Sequence, residues 1–140
     1  MGRILAIDYG SKRTGLAVTD PDRIIATPLT TVASYQVMDY LRDYLAAQSV
    51  ERFVVGYPLH ADGTPTDATP LVDEFILSLR RAFPQVTVET FDESFTSKRA
   101  QESMVTAGTR KKNRQKRSNL DVISATLILQ SYLEDLNLSP

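Results

Sequence analysis

The hydrophobic pattern of this chain changes its period once, and that change limits the folds available to it. Before residue 33, short apolar runs alternate with tight turns such as residues 20–22, a pattern typical of an antiparallel meander of strands. After residue 33, apolar residues recur at helical spacing, and short apolar runs separate the helical segments. The predicted order is therefore β-β-β-α-β-α-β-α-α.

The predicted elements follow from these runs and their boundary residues. Strands are expected at 3–8, 14–19, 23–32, 52–55 and 86–91, and helices at 34–48, 71–83, 96–107 and 120–136. Ser34 is the predicted N-cap of the first helix, and Thr69 that of the second, ahead of Pro70. Because a helix precedes each later strand, parallel pairing is favoured there. The predicted fold class is α/β, with a five-stranded mixed sheet, antiparallel at the first hairpins and parallel later, and helices on both faces.

Composition narrows the class of protein further. The chain has 140 residues, with 42% hydrophobic and 24% charged side chains, which predicts one globular domain over residues 1–140. The absence of cysteine excludes disulfides, thiolate zinc sites and cysteine nucleophiles. The apolar runs are too short for a membrane-spanning helix, and the first residues do not resemble a signal peptide. A cytoplasmic protein is therefore expected.

The net charge of −1 hides a concentrated basic segment. Residues 110–117, named here the basic strip, hold six of the 16 basic residues, and the rest of the chain has a net charge of −7. Lysine and arginine are the side chains that bind the phosphates of nucleic acids. The basic strip therefore indicates a nucleic-acid partner.

Three acidic residues at the ends of predicted elements are the candidate catalytic and metal-binding residues. Asp8 ends the first strand, Glu93 follows the last strand, and Asp121 opens the last helix. Ligands of open α/β sheets gather at the carboxyl ends of strands. The three carboxylates converge there if the first and last strands lie near the middle of the sheet. Converging carboxylates repel one another unless a hard cation such as Mg²⁺ binds them, and two such ions can support phosphodiester hydrolysis.

Each feature also has a simpler structural interpretation. Asp8 could end its strand at a turn, and Asp92 could stabilise the N-terminus of the following helix. Residues 118–121 are close to a capping box, which would make Asp121 a helix-start residue. The basic strip could be a solvated loop. Only the combination of converging acids with the basic strip favours a nuclease.

Four segments together resemble a known family. They are IDYGSKRTGLAVTD (7–20), RFVVGYP (52–58), FDESFTSKRA (91–100) and KKNRQKRSNLDVISATLILQSYL (111–133). In this order they resemble the RuvX or YqgF family, Holliday junction resolvase-like proteins also described as pre-16S rRNA nucleases. The resemblance covers nearly the whole chain. It implies a ribonuclease H-like fold and a metal-dependent nuclease that processes the precursor of small-subunit (16S) ribosomal RNA.

The resemblance also implies roles for the three acids. By position, Asp8 matches the family's first-strand carboxylate, Glu93 the glutamate of its D-E-R motif, and Asp121 the aspartate of its last helix. In a two-metal scheme Asp8 would bridge both Mg²⁺ or Mn²⁺ ions, and Glu93 and Asp121 would each complete one side. The family's arginine after the glutamate is replaced by Ser94, and Arg13, Lys98 or Arg99 could take over its contact with phosphate.

RNA is the expected partner, bound by basic side chains. The residues expected to bind it are Lys12, Arg13, Lys98, Arg99, Arg110, Lys111, Lys112, Arg114, Lys116 and Arg117. Two alternatives stay open, because phosphate contacts carry no base information. One is resolution of branched DNA by a dimer, and the other is a non-catalytic RNA-binding factor of ribosome assembly or transcription. A monomer or a weak homodimer without membrane contact is expected.

Overall fold

The computed structural model describes residues 2–92 and 116–138 of the chain. Their strands are β1 (Arg3–Tyr9), β2 (Arg13–Thr19), β3 (Ala26–Ala33), β4 (Val50–Tyr57) and β5 (Thr87–Asp92). Their helices are α1 (Val37–Ala47), α2 (Thr69–Ala82) and α3 (Lys116–Leu138). Within these two ranges, no helix has both the length and the apolar character needed to cross a membrane.

The strands form one mixed sheet in the order β3-β2-β1-β4-β5. β1 pairs antiparallel with β2, which pairs antiparallel with β3, whereas β1 with β4 and β4 with β5 are parallel pairs. The predicted division into antiparallel hairpins and parallel later strands is confirmed. β1 is central, as expected for the strand that carries Asp8. The last strand, β5, is at an edge of the sheet, so the condition set for convergence of the acids is met by β1 but not by β5.

Helices cover both faces of the sheet. Alternate residues of each strand point to opposite sides, and apolar side chains on both sides are buried under helices. On one face, Leu5 and Ile7 of β1 belong to a buried cluster with residues of α1 and α2. On the other face, Ile4 and Ala6 pack with α3, through buried residues that include Leu129. Each fully buried large side chain contributes about 1.5–3 kcal/mol to folding. The face covered by α3, named here the α3 face, is the one that carries the candidate site.

Several predicted boundaries shift in the structure. Ser34 is not the cap of α1 but begins a short 3₁₀ turn (Ser34–Gln36), and Gln36 takes the N-cap position. Thr69 is the first residue of α2 rather than its cap. α3 begins at Lys116 rather than at residue 120, so part of the basic strip is helical. The helix predicted at 96–107 lies outside the described residues.

A polar bridge joins α3 to β4 and β5. The Tyr132 hydroxyl donates to Glu89 Oε1 at 2.6 Å and accepts a hydrogen bond from Arg52 Nη1. Arg52 Nη1 lies 3.8 Å from Glu89 Oε2. Burial, together with the hydrogen bond to Glu89, raises the pKa of Tyr132 above its ordinary value. The hydroxyl therefore remains a donor at neutral pH.

We expect Tyr132→Phe to lower the free energy of unfolding by about 1–2 kcal/mol at pH 7, because partly buried polar groups lose their bridge. Urea denaturation measures this loss. Tyr35→Phe is the control, since Tyr35 is 85% exposed and its hydroxyl should contribute little. The pKa of Tyr132 is higher in the folded than in the unfolded state. The stabilisation by the Tyr132 hydroxyl is therefore complete below the unfolded-state pKa and is lost as pH rises through the folded-state pKa. Equal midpoints for both variants would contradict the bridge.

Candidate functional site

Asp8 places the candidate site near the carboxyl end of β1. It is half-buried and lies on the α3 face, two residues beyond Ala6. Its direct neighbour on β2 is Gly15, and such antiparallel partners have Cα atoms about 4.5–5.5 Å apart. Whatever contacts Gly15 on the α3 face is therefore close to Asp8.

Gly15 is the point where α3 rests on β2. A Cβ atom built on Gly15 would lie 2.1 Å from the carbonyl oxygen of Asp121 and 2.4 Å from its carbonyl carbon. Only a residue without a side chain permits this approach, because backbone atoms cannot move aside as a flexible side chain can. The structure thus brings Asp8 and Asp121 together on one face.

Arg13 holds the carboxylate of Asp121 from the sheet side. Its Nε atom donates to Asp121 Oδ2 at 3.1 Å, and the two side chains are 34% and 23% exposed. Arg13 shares the α3 face with Gly15, because the two residues are two positions apart on β2. Asp8 and Asp121 are named here the acidic pair. The Arg13 guanidinium offsets one of their two negative charges and limits the orientations of the Asp121 side chain.

The other predicted residues are placed as follows. Lys12 is exposed in the turn between β1 and β2. Lys116 and Arg117 lie in the first turn of α3, but their side chains are not among those described. The remaining predicted residues lie outside the described residues: Glu93, Lys98, Arg99, Arg110, Lys111, Lys112 and Arg114. Ser94 lies outside them too.

Asp8 and Asp121 suit a hard divalent cation by the chemistry of their donor atoms. Carboxylate oxygens are the ligands that Mg²⁺ and Mn²⁺ prefer. In the two ranges that the structure describes, no three acidic or histidine side chains gather in a group able to hold a metal. The pair would supply two carboxylate ligands to such a cation, and a further protein ligand or water would have to complete its coordination.

The contacts that position Asp121 were missed by reasoning from the sequence. An isolated glycine inside a strand signals the close approach of another backbone, and Gly15 in the run TGLAVT is such a glycine. That signal does not identify the approaching element. Arg13 was expected to bind nucleic acid, and its contact with Asp121 is an additional finding that leaves this expectation open.

Comparison with known proteins gives a consistent result. A family model described as "RuvX: Holliday junction resolvase" matches residues 2–135. A protein of Amoebophilus asiaticus named "Putative pre-16S rRNA nuclease" is 50% identical over 133 residues, which cover 95% of this chain and 94% of that protein. A Flavobacterium psychrophilum protein of the same name is 46% identical over 133 residues, 95% of this chain and 97% of its own.

A solved structure supports the fold independently. RuvC of T. thermophilus in complex with Holliday junction substrate matches the model with a TM-score of 0.55 at 14% sequence identity. The match covers 96% of this chain and 97% of the RuvC chain. At this identity the likeness concerns the fold alone, and it confirms the expected ribonuclease H-like fold.

We expect Gly15→Ala to lower the free energy of unfolding by about 1–3 kcal/mol, the usual cost of overpacking. The added methyl group would meet the backbone of Asp121, so the second turn of α3 must move away from β2. Urea denaturation gives the free energy, and amide exchange of residues 118–124 locates the disturbance. Unchanged exchange in this turn would show that α3 does not rest on Gly15.

Proposed function

The chain belongs to the RuvX family, and from this membership we propose that it is a metal-dependent nuclease that hydrolyses phosphodiester bonds of structured RNA. The observation that carries the proposal is the meeting of Asp8 and Asp121 over Gly15. The Arg13 guanidinium offsets one of the two negative charges, and a divalent cation would compensate the charge that remains.

The proposed substrate is the precursor of small-subunit ribosomal RNA. The printed names of the relatives at 46–50% identity support this assignment. The family description names a Holliday junction resolvase, which makes branched DNA the second candidate substrate. The absence of cysteine fits a reducing compartment, and we assign the protein to the cytoplasm.

Asp8, Glu93 and Asp121 are the residues that we propose hold Mg²⁺ or Mn²⁺. Glu93 directly follows Asp92, the last residue of β5, and its assignment rests on the sequence. When bound, the ions would activate a water molecule and stabilise negative charge at the scissile phosphate, in a two-metal hydrolysis. Arg13 keeps Asp121 oriented through its Nε hydrogen bond. Lys12 and the basic strip would bind the phosphates on either side of the cleaved bond.

We expect Asp8→Asn to reduce cleavage by more than about a hundredfold, because even the outer partners of metal ligands cost ten- to hundredfold when removed. RNA binding should persist or become tighter, since the variant loses a negative charge close to phosphate. The measurement compares cleavage of a ribosomal precursor RNA end and of a four-way DNA junction in Mg²⁺, in Mn²⁺ and in EDTA.

Asp39→Asn is the matched control for this experiment, because Asp39 is exposed on α1 and pairs only locally with Arg42. Equal cleavage by wild type and Asp8→Asn would trace the activity to a contaminant. Binding without cleavage by every variant, under all metal conditions, would replace the nuclease with an RNA-binding assembly factor. Cleavage of the junction alone would favour the resolvase.

We expect Arg13→Gln to weaken Mn²⁺ binding about tenfold, because a metal ligand loses the partner that orients it. Calorimetric titration without RNA measures the affinity. Arg23→Gln is the control, since Arg23 forms a comparable ion pair of 3.0 Å with Glu51 outside the site. Stronger Mn²⁺ binding by Arg13→Gln would show instead that the guanidinium opposes the cation.

A further inference from the structure

Tyr35 is an aromatic side chain that the fold does not use for packing. It is 85% exposed, more than any other large hydrophobic side chain among the described residues, where Ile24 follows at 70%. Exposing an aromatic ring forgoes about 1.5–3 kcal/mol of burial. A ring held in solvent is therefore available to stack on a ligand.

Tyr35 lies at the same end of the sheet as the acidic pair. It is two residues beyond Ala33, the last residue of β3, and Ala33 pairs with Arg13. β3 is separated from β1 by β2 alone. At about 4.8 Å per strand, the end of β3 lies roughly 10 Å across the sheet from β1. A nucleic-acid strand that reaches the two acids can therefore also reach Tyr35.

The backbone next to Tyr35 is fixed by its neighbour Ser34, which is 7% exposed. The Ser34 N–H donates to the carbonyl oxygen of Lys12 at 2.9 Å, and its hydroxyl donates to the carbonyl oxygen of Gly10 at 2.6 Å. The Ser34 Oγ atom also lies 2.8 Å from the Thr14 hydroxyl; because Ser34 donates to Gly10, Thr14 is the donor here. Tyr35 is thus tied to the turn between β1 and β2.

The same hydrogen bonds bring the backbone of Lys12 next to Ser34, the residue that precedes Tyr35. The backbone of Lys12 is bonded to that of Ser34, and the Lys12 side chain is exposed. Arg13, the next residue, is partly exposed. An exposed ring and an exposed ammonium group on two segments joined by hydrogen bonds match a nucleotide, which offers a flat base and a phosphate. An apolar protein partner would match the ring but would offer no counterpart to the Lys12 ammonium group.

We propose that Tyr35 and Lys12 form a binding site for an unpaired nucleotide of the substrate, with the ring stacked on the base and the ammonium group on a phosphate. This inference rests on the proposed function and specifies its substrate, an RNA with an unpaired segment near the cleaved bond. A base inside a duplex is already stacked on its neighbours and does not present its face. Stacking on an aromatic ring is tolerant of base identity, so the site selects strandedness rather than sequence.

The test measures RNA binding in EDTA by fluorescence anisotropy, where no metal-dependent cleavage occurs. The probes are an RNA duplex with an unpaired tail and the same duplex with blunt ends and no tail. We expect Tyr35→Ala to weaken binding of the tailed RNA about five- to hundredfold, the usual range for the loss of one stacked base. Tyr35→Phe should bind within about twofold of wild type, because it keeps the ring.

Two further variants complete the experiment. Lys12→Ala should reduce the slope of affinity against salt concentration by about 0.7 for the tailed RNA, the value for one phosphate contact with a single strand. Ile24→Ala is the control, since it removes an exposed apolar side chain at the opposite end of the sheet and should change nothing.

The outcomes separate this inference from the proposed function. If wild type binds the tailed RNA and Tyr35→Ala binds it equally well, the nucleotide site is wrong while the nuclease proposal stands. If Tyr35→Ala weakens the tailless RNA to the same degree, the ring does not contact an unpaired nucleotide, and the inference fails. If wild type binds neither RNA in EDTA, the nucleotide site is wrong, and the cleavage assay with metal decides the nuclease proposal separately.

Discussion

The contact between α3 and β2 at Gly15 is the constraint on which the candidate site depends. β1 supplies Asp8 from the centre of the sheet, and that position is secured by strand pairing on both sides. Asp121 has no such support from the sheet, since it belongs to a helix that crosses it. Its depth is limited by the backbone contact with Gly15, and its carboxylate is restrained by Arg13. Gly15 and Arg13, both on β2, therefore restrain Asp121, the first by steric contact with its backbone and the second by an ion pair with its carboxylate.

The face that carries these residues is also the face where α3 finds its apolar contacts. Ala6 and Ala17 are small, so a long helix can lie close to the middle of the sheet, with Ile128 and Leu129 buried between. The polar bridge through Tyr132 anchors the far end of the same helix. Apolar packing supplies most of the stabilisation, while the polar contacts at its two ends determine how the helix is aligned.

The sequence predicted the order of the described elements and the division of the sheet, because these depend on local periodicity. It also indicated Asp8 and Asp121 from their places at element ends, and their role in a metal site stays a proposal. The position of β5 could not be predicted in this way, since strand order depends on which faces the helices cover. Ser34 shows the same limit. Its preference for an N-cap is local, and the pairing of β2 with β3 brings a carbonyl acceptor, that of Gly10, which its hydroxyl binds instead. Glu93 and the greater part of the basic strip stay predictions.

The pairing of Arg13 with Asp121 spans 108 positions of the chain, and this long separation has a consequence for folding. Contacts of such high sequence separation close a large loop and form late. The hairpins of β1, β2 and β3 can form from neighbouring residues, whereas the acidic pair exists only after α3 has docked. Local detachment of α3 would separate the two acids while the sheet stayed paired. The proposed metal site would then be lost at a lower free-energy cost than that of global unfolding.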